Sequence, residues 1–303
     1  MAISLIAPAK LNINLKLSGK RDDGYHQLIS LAGFTEFGDK LHLAPASKDS
    51  LEMDGNIPAA LQSGDNLISL AVESLRKNGF DVPPTQIRLE KYIPVGGGLG
   101  GGSTDAATTM RGLIQLYDLQ IPSSKLHEVA LALGADVPVC LFPNWYIMSG
   151  IGEILKPLSL NFEAPFVVLA NPGTHVSTAK IFTAFNAHNK DTAELDAADQ
   201  LSVDRVGTYW SAANWTELIS IGNDLTAAAK VICPEIGMLL ADIEMLSETS
   251  GYLGSAMSGS GASCFALFNN QTSAESLVLD LTRKGYWAIA SRMHHNSTSP
   301  AVQ

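Results

Sequence analysis

Six glycines fall within the seven positions from 96 to 102 of the stretch PVGGGLGGGSTDAA, which begins at Pro94, and a hydroxyl residue, Ser103, follows them. Without Cβ atoms, successive backbone N–H groups can turn toward one point, and a following helix adds partial positive charge at its N-terminus. The arrangement therefore predicts a seat for a phosphate chain. The alternatives are a flexible linker or a structural bend.

The flanks of the glycine segment favour the phosphate seat. IRLEKYIP, before it, alternates like a half-buried strand, and STDAATTMRGLIQLYDL, after it, is typical of a helix with Ser103 or Thr104 near its start and Asp105 in its first turn. A P-loop is excluded because no lysine follows the glycines. A Rossmann fingerprint is excluded because no ribose-binding acid stands about twenty residues later.

Two charged residues in apolar surroundings are candidates for chemistry on a phosphate. Asp136 lies between Gly134-Ala135 and Val137-Pro138, where a lone carboxylate is unusual without a partner, and Lys10 begins the alternating stretch KLNINLKL. A carboxylate and an ammonium near a γ-phosphate would suffice for phosphoryl transfer. The residues alone favour simpler roles, in which Asp136 caps the chain leaving a helix and Lys10 is a solvated strand residue.

The first half of the chain must position these residues. Residues 10–17 are predicted as one strand with Lys10 and Asn12 on the same face, followed by a polar turn with Tyr25 and His26 and a second strand from about residue 28. Helices are predicted in GDNLISLAVESLRKNGF, capped by Asp65 or Asn66, and in SSKLHEVALALGADVP. IGEILKPLSLNFEAP is interpreted as a crossing between two halves.

The second half is predicted to mix strands and helices. Strands are expected at FVVLANPG and at residues 263–268, with helices at STAKIFTAFNAH, NDLTAAAKVI, PEIGMLLADIEML and SAESLVLDLTRKG, whereas residues 189–205 are polar and expected at the surface. We place a domain boundary near residue 160, giving domains 1–160 and 161–303, with one very large domain as the alternative.

Composition limits the classes of partner and compartment. With 46% hydrophobic and 17% charged residues and a formal net charge of −10, the chain is typical of a soluble folded protein that repels nucleic acid. Its three cysteines are widely spaced, which favours neither a disulfide framework nor a zinc site and fits a reducing cytoplasm. We identify no signal peptide and no membrane segment, and we interpret His294 and His295 as solvated rather than as metal ligands.

Four segments resemble the motifs of one family, the GHMP small-molecule kinases. PVGGGLGGGSTDAA is similar to their central phosphate-binding motif, SAMSGSGASCFALF to their third glycine motif, and LGADVPVCLF to the segment with the catalytic aspartate. APAKLNINLKLSGKRDDGYHQL resembles the N-terminal motif of the branch that acts on 4-diphosphocytidyl-2-C-methyl-D-erythritol. Thr104 stands where the family often has a second serine, and Ala256 where many members have a basic residue.

The resemblance implies an α+β fold of two domains, the N-terminal one like domain 2 of ribosomal protein S5 and the C-terminal one ferredoxin-like. It implies that Asp136 accepts the proton of the substrate hydroxyl while Lys10 orients that carboxylate and balances charge. ATP would be bound with Mg²⁺, for which Ser103 is a candidate ligand, although Ser103 could simply cap the helix. The implied ATP-binding residues are Pro94, Val95, Gly96, Gly97, Gly98, Leu99, Gly100, Gly101, Gly102, Ser103, Thr104, Asn66, Leu67 and Lys91.

The resemblance also implies an acceptor site. Tyr25 and Phe182 would sandwich a cytosine whose edge is recognised by His26, while Asn12 and Thr178 would hold the methylerythritol end. The implied reaction is ATP-dependent phosphorylation of the 2-hydroxyl in the non-mevalonate isoprenoid pathway, by a monomer or homodimer whose partners are small molecules. Two alternatives stay open: a family member acting on homoserine or mevalonate, and a ligand-binding regulator that has lost turnover.

Overall fold

The computed structural model describes residues 1–21, 24–55, 66–188, 196–247 and 250–295. The strands in these ranges are β1 (Ile3–Asn12), β2 (Lys16–Lys20), β3 (His26–Pro45), β4 (Ser50–Gly55), β5 (Thr85–Lys91), β6 (Trp145–Ser149), β7 (Ile154–Leu158), β8 (Phe166–Asn171), β9 (Tyr252–Met257), β10 (Cys264–Phe268) and β11 (Trp287–Arg292). The helices are α1 (Leu67–Lys77), α2 (Gly101–Tyr117), α3 (Ser123–Leu133), α4 (Val137–Cys140), α5 (Thr178–His188), α6 (Asp196–Ser211), α7 (Trp215–Ser220), α8 (Thr226–Ile232), α9 (Pro234–Leu246) and α10 (Gln271–Arg283).

The first sheet is organised around the long strand β3. The strand order is β4-β5-β3-β6-β7, and β1 and β2 also pair with β3. Because β3 is 20 residues long, its first part pairs with β2 and β6 and its second part with β1 and β5. Lys10 lies opposite Phe34 in this ladder. Helices α1 to α4 supply apolar side chains to the hydrophobic core that covers this sheet.

The second sheet is antiparallel with the order β11-β8-β10-β9. Along the chain, β8 is followed by helices, then by β9, β10, α10 and β11, which is the βαββαβ sequence of a ferredoxin-like unit. The predicted α+β class is therefore confirmed. A further hydrophobic core joins the two sheets, and in it the rings of Trp145 and Trp215 lie 5.3 Å apart.

The prediction of one continuous strand over residues 10–17 is wrong. The strand stops at Asn12 and resumes at Lys16, because the chain between them changes partners. Asn14 accepts a hydrogen bond from the Leu31 backbone N–H at 2.9 Å and donates one to the carbonyl of Leu218 in the second half. The N-terminal segment thereby crosses from the first sheet to the helices of the second.

Several strands differ from the sequence-based expectation. β3 begins at His26 rather than two residues later, so His26 belongs to a strand and not to a turn. The segment interpreted as a crossing contains β7, an exposed edge strand in which Pro157 is tolerated because an edge does not need every backbone donor. The sequence analysis did not predict the strands β4, β6, β9 and β11.

Most predicted helices are confirmed, including α1, α3, α5, α8, α9 and α10. Asn66 caps α1 by accepting a hydrogen bond from Ile68, whereas the other candidate cap, Asp65, lies outside the described residues. Helix α6 occupies the end of the segment expected at the surface, and residues 189–195 of that segment also lie outside the described part. Among the described helices, none is long and apolar enough to cross a membrane.

The chain passes from the first sheet to the second between Leu158 and Phe166. The predicted boundary near residue 160 falls in this interval. The division into domains 1–160 and 161–303 stays a prediction.

Candidate active site

The glycine segment connects the end of β5 to the start of α2 as an ordered loop, which we call the glycine loop (residues 96–102). Gly96, Gly98 and Gly100 have φ angles of 66°, 75° and 64°, in the left-handed region that residues with a Cβ atom rarely adopt. Gly100 is the N-cap of α2, so the helix begins inside the glycine run. Asp105 therefore follows the first turn of α2, and the prediction that it lies within that turn is wrong.

The second glycine cluster, at residues 258–263, braces the glycine loop from the other half of the chain. The Ser263 backbone N–H donates to the carbonyl of Gly97 at 2.9 Å, and the Ser258 hydroxyl donates to the carbonyl of Gly98 at 3.0 Å. A Cβ atom at Gly98 would lie 2.5 Å from the carbonyl oxygen of Ser258. The glycines are thus required for close backbone approach, which a flexible linker would not need.

Lys10 and Asp136, 126 residues apart in sequence, meet beside the glycine loop. The Lys10 ammonium donates to Asp136 Oδ1 at 2.7 Å, and the exposed fractions of the two side chains are 3% and 47%. The backbone N–H of Lys10 also donates to the carbonyl of Leu99, so β1 passes directly beneath the loop. Asp136 is the N-cap of α4, yet its carboxylate makes no capping hydrogen bond within the described structure, which argues against a mere capping role.

A cavity of about 870 Å³ joins these features. Its walls include residues from both halves of the chain. The predicted site residues that line it are Lys10, Asn12, Tyr25, His26, Leu67, Gly96, Gly97, Gly98, Leu99, Gly100, Gly101, Gly102, Ser103, Asp136, Thr178 and Phe182. The cavity therefore has an acid and a buried amine on one wall and a bare backbone loop on another.

His26 lines the larger cavity. It is 9% exposed, and its ring stacks on Phe182 with centroids 5.5 Å apart and meets Phe185 edge to face. Burial lowers the pKa of His26, against an opposing hydrogen bond from Asn186. The ring is therefore neutral at pH 7, with one donor and one acceptor nitrogen. Its Nε2 finds no partner among the described residues, although it is buried.

The stacking of His26 on Phe182 leaves no room for a base between those two rings. The predicted stacking of a cytosine between Tyr25 and Phe182 therefore requires the face of Phe182 that is turned away from His26. Tyr25 is 57% exposed and lines the cavity, so it is accessible to a ligand.

Helix α5 supplies five residues of the cavity wall, and three of them recur along one face of the helix. Thr178, Phe182 and Asn186 are spaced four residues apart, and all three line the cavity. The Thr178 hydroxyl is 2.8 Å from that of Ser260. Asn186 and Ser260 were not identified from the sequence, although the four-residue spacing from Phe182 was a signal that could have indicated Asn186.

Asn12 is held rigidly at the base of the same cavity. Its side-chain amide donates to the Ser30 hydroxyl at 2.7 Å, and its backbone N–H donates to the Ser258 hydroxyl. The side chain is 3% exposed.

A second, smaller cavity of about 230 Å³ adjoins the glycine loop on the side of α1. Asn66, Leu67, Lys91, Pro94 and Val95, all predicted to contact ATP, line it. It shares Leu67, Gly96, Gly101 and Gly102 with the larger cavity. The two cavities therefore meet at the glycine loop.

Two predicted ATP-binding residues turn their side chains away from both cavities. Thr104 is fully buried and is absent from the described cavity walls, and its backbone N–H donates to the carbonyl of Gly100. Leu99 contributes its backbone to the loop while its side chain packs in the core between the sheets.

The remaining sequence candidates lie elsewhere. His294 is partly buried, and burial lowers its pKa, so the interpretation of it as solvated is wrong; its backbone carbonyl accepts from Trp145 Nε1 at 3.0 Å. His295 is exposed. The three cysteines are buried and free, and in the described parts of the chain no cluster of three or more His, Cys, Asp or Glu could hold a metal ion.

The cavity walls nevertheless fit a magnesium ion delivered with a nucleotide. Mg²⁺ is usually bound through one or two protein groups plus substrate phosphates, and it does not need an all-protein cage. Ser103, in the first turn of α2, lines the larger cavity and presents a hydroxyl at a positive helix end. Asp136 adds a half-exposed carboxylate on the same cavity wall.

Family comparisons agree with this geometry. The model of the N-terminal domain of GHMP kinases matches residues 66–144, and that of the C-terminal domain matches residues 211–286. A homoserine kinase from Cytophaga hutchinsonii shares the fold, with a TM-score of 0.68 at 19% identity over 97% of this chain and 95% of its own.

Relatives with higher sequence identity indicate a particular branch of this family. A protein of Mesorhizobium japonicum named 4-diphosphocytidyl-2-C-methyl-D-erythritol kinase is 39% identical over 94% of this chain and 93% of its own length, and one of the same name from Agrobacterium fabrum is 38% identical, with 94% of each covered. A crystal structure of 4-(cytidine 5'-diphospho)-2C-methyl-D-erythritol kinase superposes with a TM-score of 0.76 at 29% identity, covering 97% of this chain and 100% of the other.

The chain therefore belongs to the GHMP kinase family, as its motifs implied, and ATP is its co-substrate. Within that family it belongs with the 4-diphosphocytidyl-2-C-methyl-D-erythritol kinases.

Proposed function

We propose that the protein transfers the γ-phosphoryl group of ATP to the 2-hydroxyl of 4-diphosphocytidyl-2-C-methyl-D-erythritol, a step of the non-mevalonate route to isoprenoid precursors. The observation that carries the proposal is the contact between Lys10 and Asp136 on the wall of a cavity that also contains the glycine loop and the ring of His26. The proposed phosphate-binding loop, the proposed base and the proposed acceptor-binding residue therefore line one cavity.

In the proposed reaction, the 2-hydroxyl oxygen forms a bond to the γ-phosphorus while the bond from that phosphorus to the bridging oxygen of ADP breaks. The electron pair of the broken bond leaves with ADP. Asp136 accepts the hydroxyl proton, because its carboxylate is half exposed and faces the cavity. Lys10 holds that carboxylate in place and offsets negative charge on the transferring group.

The glycine loop would bind the triphosphate through its backbone N–H groups and the N-terminus of α2, because the protein's net charge of −10 offers little general attraction for an anion. Mg²⁺, when bound, would neutralise negative charge on the triphosphate. Ser103 is the residue that we propose to contact the ion or a phosphate oxygen. The base and ribose would occupy the smaller cavity beside Asn66 and Leu67.

At the acceptor end, the cytosine would stack against Tyr25 and Phe182. The unpartnered Nε2 of His26 supports hydrogen bonding to the edge of the base, because a buried polar atom without a partner is unfavourable until a ligand supplies one. Asn12 and Thr178 would contact the methylerythritol hydroxyls. We propose that residues 1–160 supply the catalytic pair and that residues 161–303 close the cleft, in a cytoplasmic monomer or homodimer that acts without nucleic acid.

The experiment that tests this function is ADP release with three acceptors: the cytidyl compound, homoserine and mevalonate. We expect ADP formation with the cytidyl compound alone. Turnover of homoserine or mevalonate at a comparable rate would assign the protein to another branch of the family. Binding of the cytidyl compound without ADP formation would indicate a regulator that has lost turnover.

Replacement of His26 by phenylalanine should impair acceptor recognition selectively. The aromatic ring and its stacking on Phe182 are retained, but both nitrogens are lost, so kcat/KM for the cytidyl substrate should fall by roughly 10- to 100-fold, the equivalent of one or two hydrogen bonds. The KM for ATP should stay within about twofold. Steady-state kinetics with each substrate varied in turn measure both values.

The matched control for this experiment is His295→Phe, because His295 is exposed and outside both cavities. It should leave all kinetic constants unchanged. A His26→Phe variant whose kcat/KM for the cytidyl compound equals that of the control would remove His26 from base recognition.

A further inference from the structure

Three charged side chains are buried together behind the glycine loop. The Lys91 ammonium donates to Asp39 Oδ2 at 2.5 Å and to Asp105 Oδ2 at 2.6 Å. The side chains of Lys91, Asp39 and Asp105 are 8%, 0% and 5% exposed, respectively. Burial of charged groups is unfavourable unless they are paired, so an arrangement of this kind needs a structural or functional explanation.

The three residues connect the two ends of the glycine loop. Lys91 is the last residue of β5, which leads into the loop, and Asp105 belongs to α2, which leaves it. Asp39, on β3, fixes the entering chain a second time, because its Oδ1 accepts the backbone N–H groups of Tyr92 at 2.6 Å and Ile93 at 2.8 Å. The Lys91 ammonium, at the end of β5, therefore links the strand before the loop to α2, the helix after it.

We propose that Asp39, Lys91 and Asp105 form an ionic clamp that holds the glycine loop in its ATP-binding shape, so that Asp39 and Asp105 are positioning residues for ATP. This inference rests on the proposed function of the loop. It also assigns Lys91 a role other than that of a free cation for phosphate. Lys91 and Asp105 both line the smaller cavity, but the Lys91 ammonium is already shared by two carboxylates.

The clamp carries one more negative than positive charge when both carboxylates are ionised. Burial raises the pKa of Asp105 to about 7, with Lys91 opposing and Asp39 adding to the shift. Burial alone would lower the pKa of Lys91, but the two carboxylates outweigh it and the net direction is upward. Asp105 Oδ1 has no hydrogen-bond partner among the described residues, which leaves it able to carry a proton.

Several charged groups on the other elements packed against α2 have partners outside the clamp, and Glu36, on β3, acts on His294. On β1, Lys10 pairs with Asp136. On β3, His42 contacts Glu90, and Lys40 lies over the ring of Tyr92. On α1, Arg76 pairs with Asp49, and Glu73 pairs with Lys77. On α4, burial raises the pKa of the Cys140 thiol to about 12, so it stays neutral. On α2 itself, Arg111 donates to Thr108. With its pKa raised to about 7, Asp105 changes charge near neutral pH.

Ionisation of Asp105 should weaken ATP binding, because an uncompensated negative charge then lies beneath the phosphate seat. The dissociation constant for ATP should rise by roughly threefold between about pH 6 and about pH 8, beyond the change caused by ionisation of ATP itself. Asp105 also makes folding pH-dependent. Because its pKa is raised from 3.8 to about 7 in the folded protein, its contribution to stability is largest below 3.8 and is lost as the pH rises through 7.

Two substitutions at Asp105 separate positioning from simple packing. Asp105→Ala removes one arm of the clamp but leaves Lys91 and Asp39 as a balanced pair. Asp105→Asn retains an oxygen that can accept from Lys91 and an amide that can donate to Asp39. Calorimetric titration of each full-length variant with Mg²⁺-ATP, without acceptor, should give a dissociation constant about tenfold higher for alanine and largely restored for asparagine. The KM for the acceptor should change by less than about twofold in either variant.

Asp49→Ala is the matched control. Asp49 also accepts hydrogen bonds from a cation and from a backbone N–H, namely Arg76 and Thr85, but it does so at the opposite end of β5. It should lower the melting temperature without changing ATP affinity. The proposal is overturned if Asp105→Ala binds ATP as tightly as the control does, or if Asp105→Asn keeps the pH dependence of the wild type. The pH dependence of ATP binding by Asp105→Asn tests the proposal even if Asp105→Ala does not fold. If the wild type itself binds no ATP, the proposed function fails rather than the clamp.

Discussion

Asp136→Asn should lower kcat for phosphoryl transfer by about 10²–10⁴-fold, the usual contribution of a general base. The amide can still accept a hydrogen bond from Lys10, so the local geometry is kept, but it cannot take the proton of the acceptor hydroxyl. KM for ATP should change little, because we propose that the glycine loop, and not Asp136, binds the phosphates. ADP release under saturating concentrations of both substrates measures the effect.

Asp242→Asn provides the control for this substitution. Asp242 accepts a hydrogen bond from Lys284 at 2.5 Å, so the change removes the negative charge from a comparable lysine–aspartate pair outside both cavities. It should leave kcat unchanged. An Asp136→Asn protein that is folded by circular dichroism and retains near-normal kcat would show that another group removes the proton.

Gly98→Ala should disrupt the ATP seat more severely than any other single methyl group added to the loop. The φ of 75° costs an alanine roughly 1–2 kcal/mol. The added Cβ would also lie 2.5 Å from the carbonyl oxygen of Ser258 and 2.7 Å from that of Gly261, which are backbone atoms and cannot rotate away. The loop must therefore shift, and kcat/KM for ATP should fall by about 10²-fold.

Gly79→Ala separates backbone strain from loop displacement. Gly79 has a φ of 85°, but the position of its Cβ is open, with no other atom within 4 Å. This variant should lose stability by a similar strain energy while ATP kinetics stay normal. If both alanine variants had the same kcat/KM for ATP, close approach at Gly98 would not be what shapes the phosphate seat.

Local patterns in the sequence predicted much of this molecule. The helix after the glycine run and the helix that precedes Gly134 follow from residue types that act on their own backbone, and these two predictions are confirmed. Beyond such patterns, the resemblance to the family linked Lys10 to Asp136. Spacing alone could not, because 126 residues separate them and only the pairing of β1 with β3 brings Lys10 under the loop.

What the sequence could not predict depends on partners distant in the chain. Residues 10–17 alternate as a continuous strand, but Asn14 interrupts the strand by bonding to Leu31 and Leu218. His26 follows a polar turn in sequence, and it is buried because Phe182 and Phe185, from the second half, cover its ring. Asp39 stands in a strand without any local signal, and its importance comes from Lys91 and from the backbone at positions 92 and 93.

The shared wall between the two cavities has a practical consequence for inhibitor design. Leu67, Gly96, Gly101 and Gly102 border both spaces, so the seats that we propose for the nucleoside and for the pyrimidine belong to adjoining cavities. A single bisubstrate molecule, with adenosine tethered to cytidine through a short oligophosphate, should engage both seats at once. Once one half is bound, binding of the other half becomes intramolecular. The affinity of the tethered molecule should therefore exceed that of either half by about 10²–10⁴-fold when the tether length matches the distance between the two sites.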